Sequence, residues 1–143
     1  MPRMIAVSIA LGVIWNFIAV YLMGGRFFDA FTPSFLLAGA LTGGAAGVFT
    51  IWSRQRKNGR ESLFYGVVNY YLAILLYWMS FVFFERAIMC AQYGGWTSFD
   101  LDDNLKMIFI FLWFGTVPFG IILIPLTFLS RHLIWSIYKR SAV

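Results

Sequence analysis

Residues 34–52 form a run of 19 residues without a single charged side chain. A helix needs about 20 mainly apolar residues to cross the hydrocarbon core of a bilayer. The run also carries Gly39, Gly43 and Gly47 at four-residue spacing, which places all three on one stripe of a helix. In lipid, helices associate through close backbone approach over small residues. The run therefore predicts a membrane-spanning helix whose stripe, defined here as the glycine stripe, packs closely against another helix.

The composition extends this prediction to the whole chain. Of the 143 residues, 61% are hydrophobic and only 12% are charged, whereas soluble domains average about 25% charged residues. Four uncharged runs reach spanning length, at residues 4–23, 34–52, 63–84 and 107–130, followed by a tail at 131–143. Open sheets leave edges that lipid cannot satisfy, and barrels show alternation rather than continuous apolar runs. We therefore predict an all-α integral membrane bundle of four transmembrane helices forming one domain over residues 1–143.

The distribution of basic residues predicts the orientation. Lys and Arg are retained on the cytoplasmic side of bacterial membranes. One predicted side carries eight bases and the other only three, namely Arg26, Arg86 and Lys106. The eight are Arg3, Arg54, Arg56, Lys57, Arg60, Arg131, Lys139 and Arg140. This bias predicts a multi-pass protein of the cell inner membrane with both termini in the cytoplasm, and it argues against nucleic acid as a partner.

The first apolar run raises the question of a signal peptide. It contains 20 residues, longer than the usual 7–15 residue apolar region of a signal. No pattern of small residues typical of a cleavage site follows it. The run is therefore expected to be a retained anchor.

Two roles are open for the glycine stripe. Gly39, Gly43 and Gly47 fit a homo-oligomer contact through the second helix, and they fit equally well the packing of that helix against another helix of the same chain. A helix with small residues on two faces can do both.

Four polar residues fall inside the apolar runs and are candidates for intramembrane polar contacts: Asn16, Thr42, Asn69 and Thr116. At a rise of about 1.5 Å per residue, Asn16 is level with Gly39 and Asn69 is level with Gly47. We expect each amide to hydrogen-bond an exposed backbone carbonyl or a threonine of the second helix. These residues either hold helices together through hydrogen bonds or form a polar pathway for an ion or a solute.

Two prolines interrupt the fourth run. Pro118 and Pro125 each remove a backbone donor and disturb the carbonyl four residues earlier. Broken helices mark binding sites in transporters, but no other run carries a matching interruption. The prolines therefore predict a permanent kink that shapes the bundle, with Thr116 placed to satisfy a freed backbone group.

The connector after the second run is the most basic segment of the chain. Arg54, Arg56, Lys57 and Arg60 lie within seven residues. Each base near a membrane surface gains about 1 kcal/mol from anionic lipid head groups. The segment is accordingly expected to bind head groups of membrane lipids, or to dock an acidic cytoplasmic partner.

Chemistry-bearing residues are scarce. The four apolar runs contain no Asp, Glu, Lys, Arg or His, and the chain has one cysteine, Cys90, and one histidine, His132. Ionisable residues inside the membrane are the usual mark of proton relays and ion-coupled transport. We therefore expect no enzyme activity, no metal and no cofactor.

These features predict a function based on helix packing. The chain is expected to act as an assembly, sensing or accessory subunit, as a homo-oligomer or with a membrane-protein partner in a larger complex. The alternative is a small oligomeric pore or a membrane-perturbing protein of the exclusion or immunity type, as in phage defence. No motif in the sequence ties the chain to a known family.

Overall fold

A computed structural model describes residues 2–22, 32–94, 101–116 and 120–141. Nearly all of these residues lie in helices, and the turn at 57–62 joins two of the helices. The helices are α1 (Pro2–Leu22), α2 (Pro33–Arg56), α3 (Leu63–Tyr93), α4 (Leu101–Thr116) and α5 (Gly120–Ser141). The described part of the chain contains no strand, so the predicted all-helical class is confirmed there. Two helices, α2 and α3, are long and apolar enough to cross a membrane, and α1 contributes the shorter apolar stretch Arg3–Ile18.

The helices extend beyond the apolar runs. Helix α2 continues to Arg56, and α3 continues to Tyr93, where Gly94 ends it in the left-handed conformation with φ of 77°. The residues that follow an apolar run are mostly good helix formers, so the backbone ladder continues after the hydrophobicity stops. A hydropathy pattern therefore locates a helix but not its end.

The described part of the fourth apolar run lies in helices α4 and α5. Helix α4 begins at Leu101, and α5 contains the whole described part of the predicted tail up to Ser141. The predicted kink at Pro118 lies outside the described residues. Pro125 lies inside α5 with its side chain exposed.

Two hydrophobic clusters mark the two ends of the bundle. We call the end that carries residues 57–62 the turn end; there Met4 of α1, Ile51 of α2 and Ile134 of α5 pack together. At the other end Tyr77 and Trp78 of α3 pack with the fully buried Ala38 of α2. Ile108 and Leu112 of α4 cover this second cluster. Helices α1, α2, α3 and α5 thus surround a common centre.

Candidate ligand-binding cavity

The glycine stripe sets the distance between α1 and α2. A Cβ atom on Gly43 would overlap the carbonyl oxygen of Ser8 and would lie 2.7 Å from the Cα of Gly12. Gly39 lies in the same way against the backbone of Gly12, and Gly47 against the side chain of Ser8. The structure therefore places all three glycines against α1 of the same chain, and this stripe is not free to contact a second copy.

Helix α1 carries the matching surface, which the sequence prediction missed. Ser8, Gly12 and Asn16 are spaced four residues apart and are all buried. The Ser8 hydroxyl donates to the Met4 carbonyl at 3.0 Å within its own helix, so it adds little bulk to the contact. The small-residue spacing on α1 is the signal that would have identified the partner of the stripe.

A cavity of about 130 Å³ lies in the centre of the bundle between α1, α2, α3 and α5. By this measure one water needs roughly 10–15 Å³ and two to four polar partners. The cavity therefore has room for several waters or for part of a ligand. Its polar lining residues come from all four helices: Ser8, Asn16, Thr42, Thr50, Asn69, Tyr70, Tyr77, Thr127, Ser130 and Arg131.

Three of the four predicted intramembrane polar residues, Asn16, Thr42 and Asn69, line the cavity. The Tyr77 hydroxyl of α3 donates to the side-chain oxygen of Asn16, a contact to α3 that the sequence did not predict. The Thr42 hydroxyl is buried and has no hydrogen-bond partner within the described part of the chain. Asn69 is buried at the wall. Thr116 ends α4, and its side chain lies outside the described residues.

Arg131 forms the wall of the cavity at the turn end, and only 1% of its surface is exposed. Its Nε and Nη2 atoms donate to Glu61 Oε1 at 3.0 and 2.9 Å. Nη2 also donates to the Ser53 hydroxyl at 3.0 Å, while Nη1 has a long contact of 3.5 Å to the Thr50 hydroxyl. These two hydroxyls donate their own protons to carbonyls of α2, which leaves their lone pairs for the guanidinium.

A second arginine joins this cluster. Arg54, which is 5% exposed, pairs with the other oxygen of Glu61, and its Nε atom is buried without a hydrogen-bond partner in the described residues. Two guanidinium groups therefore share one carboxylate. We call Arg54, Glu61 and Arg131 the charge cluster; its formal net charge is +1.

The charge cluster corrects two expectations. Arg54 was expected to face lipid head groups, but it is turned into the protein. The interior was expected to hold no charge, but the Arg131 guanidinium reaches Thr50, which lies inside the apolar run 34–52. Helical side chains point back toward the N-terminus, and the long arginine stem carries its charge away from its own backbone position. The apolar run 107–130 stops one residue short of this group.

The other bases of the connector remain at the surface. Arg56 stacks over the exposed ring of Trp52 at 4.5 Å, and Lys57 and Arg60 are exposed. The turn that follows is built on Asn58 and Gly59, which both have positive φ. Because this turn is short, Glu61 follows it at once and lies against Arg131 of α5.

The side chains that line the cavity suit the binding of a ligand. Among the described residues no three His, Cys, Asp or Glu side chains lie close enough to hold a metal ion. The convergent groups are hydroxyls, amides and a guanidinium, which recognise anions and hydrogen-bonding ligands. No family model, curated protein or solved structure matches this chain. The geometry of the cavity is therefore the basis for the functional conclusion.

Proposed function

We propose that this chain is a non-enzymatic, four-span protein of the cell inner membrane that acts as a sensing or accessory subunit, with its central cavity as the binding site for a small ligand. The observation that carries the proposal is the buried Arg131 in the cavity wall, on a surface that four helices build together. A buried guanidinium is costly unless it is paired, and intramembrane charges mark functional sites.

The four-span architecture is supported by the way α4 and α5 follow α3. Near one end of α3, Arg86 donates to Asn104 of α4 at 3.0 Å, and near the other end Gly66 packs against the ring of Phe128 in α5. Residues 66–86 of a helix cover about 30 Å, the thickness of the hydrocarbon core. These contacts support the proposal that α4 and α5 together form a fourth pass, antiparallel to α3.

The orientation is tested by cysteine labelling in intact cells. The native Cys90 lies in the half of α3 that we place toward the outside, and Asn58 lies in the turn that we place in the cytoplasm. A membrane-impermeant maleimide is expected to label Cys90 in intact cells. In a Cys90→Ser background, Asn58→Cys is expected to react only after the membrane is permeabilised. The reverse pattern would contradict the orientation.

The charge cluster connects the wall of the cavity to the turn that we place at the cytoplasmic surface. Glu61 follows the turn between α2 and α3. Arg54 lies in the last turn of α2, which ends at the exposed Arg56 and is followed by the exposed Lys57. A ligand that rearranges the charge cluster therefore acts on the segment that we propose binds lipid head groups or an acidic cytoplasmic partner. This arrangement suits a sensing subunit.

Native mass spectrometry of the protein extracted from its own membranes tests ligand binding. We expect the wild-type chain to retain a small molecule at one copy per chain. Thr42→Trp, which fills the cavity, is expected to lose the molecule, whereas Val48→Trp on the exposed face of the same helix is expected to keep it. A chain that carries no adduct under any extraction condition, or adducts equal in both variants, would refute the proposal.

The second candidate is a pore. It is favoured by the polar side chains among the lining residues, which extend from Asn16 and Tyr77 to Arg131. Ion flux into vesicles that contain the purified chain decides between the two. Flux that Thr42→Trp abolishes and Val48→Trp leaves unchanged would establish the pore, and absence of flux would leave the binding subunit. Because the glycine stripe is covered by α1, assembly with a second copy or a membrane partner would have to use another face, and crosslinking from exposed positions would map it.

A further inference from the structure

We propose that the ligand of the central cavity is a single-chain amphiphile with a carboxylate head, and that it enters sideways from the bilayer between α2 and α3. This inference rests on the proposed function, because it presumes that the cavity binds a ligand. Two observations carry it. One is the uncompensated positive charge at the turn end, and the other is an apolar groove that shares its wall with the cavity.

The charge cluster has one cation more than it has carboxylates. Within the described residues, Glu61 is the one acidic side chain at the turn end, and it serves both Arg54 and Arg131. In the described part of the chain a donor is also left over at the cavity wall, because the Nη1 of Arg131 has only the 3.5 Å contact to Thr50. The Nε of Arg54, which does not line the cavity, is likewise buried without a partner there. A buried site with excess positive charge and unused donors favours an anion.

The anion is best matched by a carboxylate. A guanidinium presents its donors in a planar fork, and Arg131 already uses this edge on Glu61 with bonds of 2.9 and 3.0 Å. A second carboxylate in the cavity meets the Nη1 side of the same group, next to the hydroxyl of Thr50. Its charge brings the cluster to neutrality.

An apolar groove of about 360 Å³ lies between α2 and α3 on the outer surface of the bundle. Leu72, Leu75 and Met79 line it and are each at least 39% exposed, so the groove faces the lipid in the proposed architecture. Its shape and chemistry suit a hydrocarbon chain.

The groove and the central cavity share three lining residues, Ala46, Asn69 and Ala73. Two of these are alanines, so little side-chain volume stands between the two spaces. At the turn end, the buried side chains of Arg54 and Arg131 stand between a water-soluble anion and the cavity. The wall of small side chains that the cavity shares with the groove is therefore the entry that we infer, and a molecule dissolved in the bilayer arrives at that wall from the groove.

The experiment uses the full chain in nanodiscs of zwitterionic phospholipid. The probe is a twelve-carbon carboxylic acid with a photoreactive diazirine in its chain. We expect saturable labelling that peptide mapping assigns to the groove residues of α2 and α3. Dodecanoate is expected to compete at least tenfold better than dodecanol, and inorganic phosphate is expected not to compete.

Matched variants test each part of the proposal. Ala73→Phe closes the wall between groove and cavity and is expected to reduce labelling at least tenfold. Val48→Phe adds the same bulk on the lipid-facing side of α2, outside both spaces, and is expected to leave labelling unchanged. Arg131→Met is expected to reduce the preference for dodecanoate over dodecanol to less than threefold. If this variant does not fold, Arg54→Met removes the excess charge and leaves the Arg131–Glu61 pair intact, with the same expected result.

Several results would overturn the inference. Equal competition by dodecanol would remove the role of the charge, and full competition by phosphate would identify a water-soluble anion instead. Labelling that Ala73→Phe and Val48→Phe reduce equally would exclude the lateral route. If native mass spectrometry finds a bound molecule but the probe labels without saturation, this inference fails and the proposed function stands. If neither an adduct nor saturable labelling is found, both fail.

Discussion

Gly43→Ala is the sharpest test of the contact between α1 and α2. The added Cβ would meet backbone atoms of Ser8 and Gly12, which cannot rotate away as a side chain can. An ordinary contact needs at least 3.4 Å, and the distance to the Gly12 Cα is 2.7 Å, so the helices must part by at least 0.7 Å (3.4 minus 2.7). The movement also loosens the contacts of Gly39 and Gly47 along the same stripe.

The expected loss follows from the rigidity of the contact. Adding a methyl group to a well-packed interior costs about 1–3 kcal/mol, and the backbone contacts place this site in the upper half of that range. A loss of about 2–3 kcal/mol changes the unfolding equilibrium roughly 30- to 150-fold. The measurement is reversible unfolding in mixed micelles of mild detergent and dodecyl sulfate, followed by circular dichroism.

The neighbouring Gly44 provides the control. A Cβ there would have Ile9 Cγ1 as its nearest atom at 3.8 Å, an ordinary contact. Gly44→Ala is therefore expected to be neutral or to stabilise the helix by up to about 1 kcal/mol. Equal effects of the two substitutions would refute the packing of α1 on the stripe. Loss of an oligomer with unchanged stability of the single chain would show that the stripe contacts a second copy instead.

Two further predictions use the same unfolding assay. Glu61→Gln leaves two buried guanidinium groups without a carboxylate and is expected to cost about 2–4 kcal/mol of unfolding free energy. This is below the full value for a buried pair, because the Glu61 side chain is 27% exposed. The control Arg56→Gln at an exposed position should stay within about 0.5 kcal/mol, and similar losses in both variants would refute the role of Glu61. Gly59→Ala is expected to lose about 1–3 kcal/mol, since φ is 82° and the Trp135 ring lies 3.2 Å from the new Cβ. Gly94 has φ of 77°, but no described residue other than its chain neighbours lies within 4 Å of a Cβ there, so the loss in Gly94→Ala should be smaller. Equal losses would exclude the ring contact.

The helical class could be predicted because it depends on local properties. Long apolar runs such as residues 34–52 allow little except helices, since lipid does not satisfy open backbone groups. Thr32 and Pro33 mark the start of α2, and the helix begins there. The ends were less predictable, because α3 continues past the charged Glu85 and Arg86, which interrupt the apolar run but still favour helix, and ends only at Tyr93.

The level of the polar residues could be predicted, but their partners could not. Helical rise placed Asn16 next to Gly39, and a Cβ on Gly39 would indeed lie 3.1 Å from the Asn16 Cβ. The side-chain oxygen of Asn16 accepts a hydrogen bond from Tyr77 on α3, a partner that the rise did not predict. Rise along a helix gives height only, whereas rotation about the axis and the choice of neighbour depend on how the four helices pack.

By itself the sequence determined the helices, the close approach of a helix to the glycine stripe, and the gathering of basic residues near one set of helix ends. The tertiary structure decided that the stripe meets Gly12 of the same chain and that Arg54 and Arg131 share Glu61. These pairs are separated by many residues along the chain, and no periodicity relates them. Only the packing of α5 beneath the turn after α2 brings the Arg131 guanidinium to the wall of the cavity, where it becomes the group that a ligand would recognise.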